Sequence, residues 1–383
     1  VRSVAIAGGG IGGLTAALCL LQQGFEVRVL ERAPQLAEIG AGLSLGINAT
    51  RVLYALGLGP ALERVGVIES GTSYRHGATG AVLRRISYGE MMARHGVPYL
   101  RLHRWDLQAA LLAAIRERDR DAVVMNAAVE DWDESGDRIR LAVPGHGEVT
   151  VDVLIGADGI RSRVRERLFG VREPEFSGYV AWRALVPAEG VPAELLEAAV
   201  CFGDGRMINH YLVRRGALIN VVAFARRARW EAEGWTIPAT RPELMEEFAG
   251  FDAGTRRLLS RVPEDSLFRW GLFSRPRLEA WVRGRVGLLG DAAHPMLPFM
   301  GQGSAMAIED SMILARALGG TADPELGLRR YQEARYERVQ DVTDRAASQA
   351  ELFHGDADSY SLDRDRTDRP RDLFTYDAVH AAI

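Results

Sequence analysis

SVAIAGGGIGGLTAALCLLQQGFEVRVLE, residues 3–31, decides the fold. Ser3 to Ala7 reads as a buried strand, GGGIGG as a tight turn, and the Ala/Leu-rich run to Gln23 as a helix that Gly24 stops. EVRVL at Glu26 to Leu30 is then a second strand. Gly8, Gly10 and Gly13 stand as G-x-G-x-x-G between that strand and that helix, with Gly12 inside the pattern. The first glycine permits the turn, the second lets a pyrophosphate approach the backbone, and the third lets helix and strand pack closely. The helix N-terminus faces the phosphates. Glu31, eighteen positions after Gly13, would accept hydrogen bonds from an adenosine ribose, and Arg32 beside it joins the candidate set. A glycine turn can join strand to helix for structural reasons alone, but strand, helix and acidic end are all in register here. A carboxylate at position 31 also disfavours a 2′-phosphate, so NADP is not expected at this site.

Around this core, 383 residues exceed what one hydrophobic core usually serves, which points to two interlocked lobes. A net charge of -4 argues against a general nucleic-acid binder. Cys19 and Cys201, the two cysteines, suggest neither a disulfide framework nor a zinc site, and fit a reducing cytoplasm. The first apolar run is broken by glycines and lacks a basic leader, and no stretch approaches the roughly 18 apolar residues of a membrane span. A cytoplasmic protein without membrane attachment is therefore expected.

Two further motifs carry chemistry. In VGLLGDAAHPMLPFMGQGSAMAIEDSMILARAL, residues 286–318, a buried strand ends at Gly290-Asp291. A proline-rich loop follows, and Gly301-Gln302-Gly303 opens an apolar helix. Asp291 can accept from ribityl hydroxyls, and the amides after Gly301 can stabilise negative charge on a reduced flavin ring. The plainer reading is an Asp N-cap, which does not need glycines on both sides of Gln302. In VLIGADGIRSRVR, residues 153–165, Asp158-Gly159 links a buried strand to a basic helix start. Alone it is a common turn followed by a solvated face.

These three motifs, in this order and spacing, resemble the single-component FAD-dependent aromatic monooxygenases of the para-hydroxybenzoate and salicylate hydroxylase type, over nearly the whole chain. HRWDLQAALL (His103 to Leu112) resembles the family's R-x-D-L segment, which implies that Arg104 contacts FAD. SGYVAWRALVP (Ser177 to Pro187) and the stretch from Asn209 to Ala223 are similar to the salicylate and hydroxybenzoate subgroup. At Ser44 and Phe299 the sequence departs from the decarboxylating 6-hydroxynicotinate hydroxylases, which carry histidine there.

The resemblance implies an α/β fold with a Rossmann-like FAD-binding domain of the glutathione-reductase type, an inserted β-sheet substrate domain and C-terminal helices. The expected division is 1–73, 98–177 and 268–355 for the FAD domain, 74–97 and 178–267 for the substrate domain, and 356–383 as a charged tail. It implies FAD as cofactor, NADH or NADPH as co-substrate without a separate nicotinamide domain, and Asp158 near both. The partners would be O2 and a small phenolic or heteroaromatic substrate, on a monomer or homodimer. By resemblance, reduced flavin and O2 give a flavin hydroperoxide that hydroxylates the ring inside a pocket shielded from water. An ionised phenol is the better nucleophile, so a base is expected near it. His210 in MINHYLVRRG is the candidate, against the plainer reading of a hydrogen-bonded strand residue. His294 is expected to build the loop. Phe299 and Met300 should line the substrate side, with Tyr211, Gln302 and Arg183 as further pocket candidates. The same fingerprint could serve a flavin oxidase or dehydrogenase, or a non-catalytic FAD-binding redox sensor.

Overall fold

Every residue of Ser3–Ala7 is buried, as a central strand of a parallel sheet must be when both its faces are covered. It pairs in parallel with Glu26–Leu30 on one side and Val153–Gly156 on the other. Val286–Leu288 adds to Val153–Gly156 in parallel, so all three motifs end at the same edge of one sheet. Val123–Val124 and Val282–Arg283 complete its six strands. The computed structural model describes residues 2–36, 42–134, 136–230, 237–353 and 370–383.

Helix Ile11–Gln22 packs against Gly303–Gly319 and Arg104–Arg118, and the long helix Pro324–Phe353 lies on Gly303–Gly319. An antiparallel meander of Asp131–Asp133, Ile139–Ala142 and Glu148–Val151 precedes Val153–Gly156. The second lobe is an eight-stranded sheet built around Glu175–Pro187, Leu218–Arg226 and Arg206–Val213. Gly71–His76 and Val82–Ser87 form its far edge. Its two faces carry separate apolar clusters: Ile208, Val221 and Phe248 lie in one, Met207, Phe224 and Phe299 in the other. Phe299 belongs to the loop of the first lobe, so the second of these clusters joins the lobes.

Short helices at Gly89–His95, Arg241–Glu247 and Ala253–Leu259 occur within the segments expected to form the β-sheet substrate domain. The first buries no residue, and so leaves no apolar periodicity to read. Of the expected tail 356–383, residues 356–369 lie outside the described residues. The remainder is not a free tail: Pro370–Thr375 is helical, and Leu373, Phe374 and Ala378 are buried in the core of the first lobe. No helix among the described residues is long and apolar enough to cross a membrane.

Candidate active site

The glycine turn is closed on three sides and open on the fourth. Gly8 adopts φ +110°, and a Cβ there would lie 2.5 Å from the Ala157 carbonyl oxygen. The turn thus abuts the Asp158 segment. A Cβ on Gly13 would lie 2.0 Å from the Gly8 oxygen, and one on Gly12 2.7 Å from Leu289 and 3.2 Å from Ala307. Only Gly10, at the helix N-cap, would meet nothing within 4 Å. That is the space a pyrophosphate needs before the unpaired amides of a helix start.

Glu31 accepts from the amide of Gly9 at 2.6 Å and that of Ala33 at 2.8 Å, one on each oxygen. Each oxygen keeps a lone pair for a ribose hydroxyl. Arg32 is exposed next to it. Gln108, from the R-x-D-L helix, donates to the Gly9 carbonyl at 2.8 Å. Asp158 caps the following helix: one oxygen accepts from the amides of Arg163 (2.8 Å) and Val164 (3.3 Å), while the other is buried without a partner. Burial pushes its carboxyl above the usual range. An orphan acceptor beside an open glycine turn fits a ligand that supplies hydroxyls, as a flavin dinucleotide does.

Asp291 borders the main cavity and opens onto it, an exposed carboxylate with Arg104 and Arg165 as neighbouring charges. His294 is structural, as expected. Its Nε2 lies 2.6 Å from Asp310 Oδ2, inside a largely buried network. There Arg335 meets Asp310 and Glu309, each at 2.7 Å, and Arg338 meets Glu309 at 2.8 Å. Asn48 joins Glu309 (2.6 Å) to the Gln302 side chain (3.3 Å). This network holds the 290–303 loop from behind. Gly301, at φ +63°, turns that loop so that it, Gly303, Phe299 and Met300 face the cavity, whereas the Gln302 side chain is buried behind them.

The cavity, about 450 Å³, lies between this loop and the eight-stranded sheet. Met207, Asn209 and Tyr211 border it from strand Arg206–Val213. His210 does not. Strand alternation turns it to the opposite face, where it pairs across to Ala199 and Val221 in the other core. Burial first, then Arg75, lowers it to about 4. The expectation of His210 as the base is therefore corrected: it cannot reach a substrate in this cavity, and it is neutral at working pH. Arg183 does not border the cavity either. Its guanidinium lies 5.5 Å from the ring centre of Trp270, which does, and burial and Arg104 lower its pKa.

Sequence reasoning missed Arg101. Nearly wholly buried, it donates to Ser44 Oγ and to Thr72 Oγ1 (3.0 Å), lies 3.7 Å from Glu69, and sits 4.2 Å over the ring of Tyr211. Its signal was faint, a single arginine in the strand just before the R-x-D-L helix. Six arginines border the cavity, among them Arg84, Arg101, Arg104 and Arg161, against one carboxylate, Asp291.

Residues 2–346 match the family described as FAD binding domain. The chain is 37% identical over 342 residues to 3-hydroxybenzoate 6-hydroxylase 1 of Aquipseudomonas alcaligenes, covering 88% of this chain and 86% of that protein. It is 34% identical over 346 residues to 6-hydroxynicotinate 3-monooxygenase of Pseudomonas fluorescens, covering 88% and 89%. A solved salicylate hydroxylase substrate complex superposes with a TM-score of 0.85 at 26% identity, covering 98% of this chain and 96% of that one.

Proposed function

The chain belongs to the FAD binding domain family and is a flavin-dependent aromatic monooxygenase, and from that premise we propose that its substrate is a phenol carrying a second negative group, of the hydroxybenzoate kind. The observation that carries this is the charge of the cavity: an otherwise apolar, aromatic-walled space bordered by six arginines and one carboxylate. Of these arginines Arg101 is buried, and a fixed buried cation with five more arginines around the rim favours an anionic ligand over a neutral one.

When bound, FAD supplies the redox chemistry, taking electrons from NAD(P)H and activating O2. The chain's own residues hold and shield it. Gly8, Gly10, Gly12 and Gly13 form the pyrophosphate turn, with Glu31 at the ribose and Arg32 alongside. Arg104, Asp158 and Asp291 would meet the remaining polar groups, and Gly301 and Gly303 present the loop backbone to the ring, with Gln302 bracing it. Phe299 and Met300 exclude water, and Arg183 acts through Trp270. For the substrate, Tyr211 replaces His210. Arg101 donates to the Ser44 hydroxyl and lies 4.2 Å over the Tyr211 ring, so a phenolic oxygen meeting Tyr211 would sit beside a fixed cation. That charge favours the phenolate, the form whose ring is most nucleophilic. Both cysteines are free and buried, which supports a reducing cytoplasmic setting.

A test compares hydroxybenzoates with the matching phenols lacking the carboxylate, following stimulated NAD(P)H oxidation and identifying products by mass. The carboxylates should be preferred by about 100-fold in kcat/KM, the scale of losing one charge-assisted contact. Equal use of neutral phenols would overturn the substrate assignment, and oxidation without hydroxylated product for any of them would favour an oxidase.

A further inference from the structure

The cavity has a wall from outside the part of the chain that matches the family. That match ends at residue 346, yet Leu373 and Phe374 border the cavity. The Phe374 ring stands edge-on to two stacked tyrosines, 5.8 Å from Tyr99 and 6.4 Å from Tyr88, which also border it. Tyr88 and Tyr99 are themselves parallel at 4.1 Å. The first lobe is shaped to receive this ring. A Cβ on Gly46 would fall 2.3 Å from it, so only glycine lets the start of helix Ile47–Ala55 come this close.

Three arginines from three different helices fasten the segment by its carbonyls. Arg51 donates to Tyr376 at 3.1 Å and pairs with Asp377 at 3.5 Å. Arg338 donates to Leu373 at 3.0 Å, and Arg316 to Ala378 at 2.9 Å. Arg338 also lies 4.1 Å over the Tyr376 ring. Anchors on both sides of Phe374 hold it to one position, which is what a wall needs in order to discriminate.

We infer that Phe374 is a specificity-determining residue: it closes one end of the substrate cavity and limits the enzyme to single-ring phenols. This rests on the aromatic-hydroxylase reading of the same cavity. The cavity must take the reactive ring system of the cofactor as well as the substrate, and Phe374 stands beside Tyr99, which shares the Arg101 guanidinium with Tyr211 (5.1 and 4.2 Å), so its ring bounds the space next to the proposed phenol position. Removing the ring opens space beside the edges of Tyr88 and Tyr99, which a larger aromatic substrate would meet edge to face as Phe374 does.

The test uses FAD-loaded wild type, Phe374→Ala and Phe374→Leu. Binding of hydroxybenzoates and hydroxynaphthoates is read from the change in flavin absorbance, with turnover measured in parallel. Phe374→Ala should raise affinity for the two-ring acids relative to the one-ring acids by about tenfold or more, as expected when a pocket gains space for apolar groups. Phe374→Leu, which keeps an apolar anchor for the segment, should shift the same ratio less. A ratio unchanged within about twofold in a folded, yellow variant of either kind would overturn the inference, since a merely structural role would lower both affinities together. If the ratio shifts but no protein, wild type included, makes a hydroxylated product, the wall stands and the hydroxylase reading falls.

Discussion

Substituting His210 with Leu separates a titrating core residue from a catalytic one. His210 is buried on the face of its strand away from the cavity, and burial lowers it from 6.5 to about 4. A folded-state pKa below the unfolded one means that the unfolded chain binds a proton between those values while the native protein does not. Stability contributed this way is complete above about pH 6.5 and is lost as pH falls toward 4. At about 1.36 kcal/mol per pKa unit, the shift amounts to about 3 kcal/mol lost across that window. His210→Leu removes the group, so the wild type should lose about 3 kcal/mol more than the variant between pH 7 and pH 4. Urea unfolding at saturating FAD, at half-unit pH steps, measures the difference. Turnover of the best substrate at pH 8 should change by less than about threefold, because a general base typically contributes at least 100-fold. Parallel stability curves for the two proteins would refute the burial argument. A loss of hydroxylation by two orders of magnitude, with FAD retained, would refute the placement of His210 outside the site.

Two other substitutions probe the cradle and its support. Gly13→Ala puts a methyl 2.0 Å from the Gly8 carbonyl and should yield a protein purified without yellow colour, scored as the ratio of flavin to protein absorbance. Arg335→Leu leaves Glu309 and Asp310 short of a buried partner and should cost about 3–5 kcal/mol by denaturant unfolding. A third tests the cavity directly: Tyr211→Phe should retain FAD and lower the hydroxylation rate at least tenfold, a typical loss for a contact that stabilises developing charge, while an unchanged rate would remove the phenol from the chemistry.

What could be read from the chain was whatever its local order encodes. Strand, glycine turn and helix are contiguous at residues 3–22, so Gly8, Gly10 and Gly13 announce their own geometry. The same holds for Asp158-Gly159 and for Gly290 to Gly303, each a short link whose neighbours in sequence are its neighbours in space. Whether a strand residue faces the cavity or the core behind it is another matter. It turns on a parity that a one-residue change of register reverses, and both faces of Arg206–Val213 are largely apolar, so the pattern could not choose between His210 and Tyr211. Arg101 and Phe374 reach the cavity from segments 273 positions apart. Only the packing of the two lobes, and of the chain's end against them, brings that cation and that ring to one site, because long-range side-chain packing leaves no signature in any local stretch of sequence.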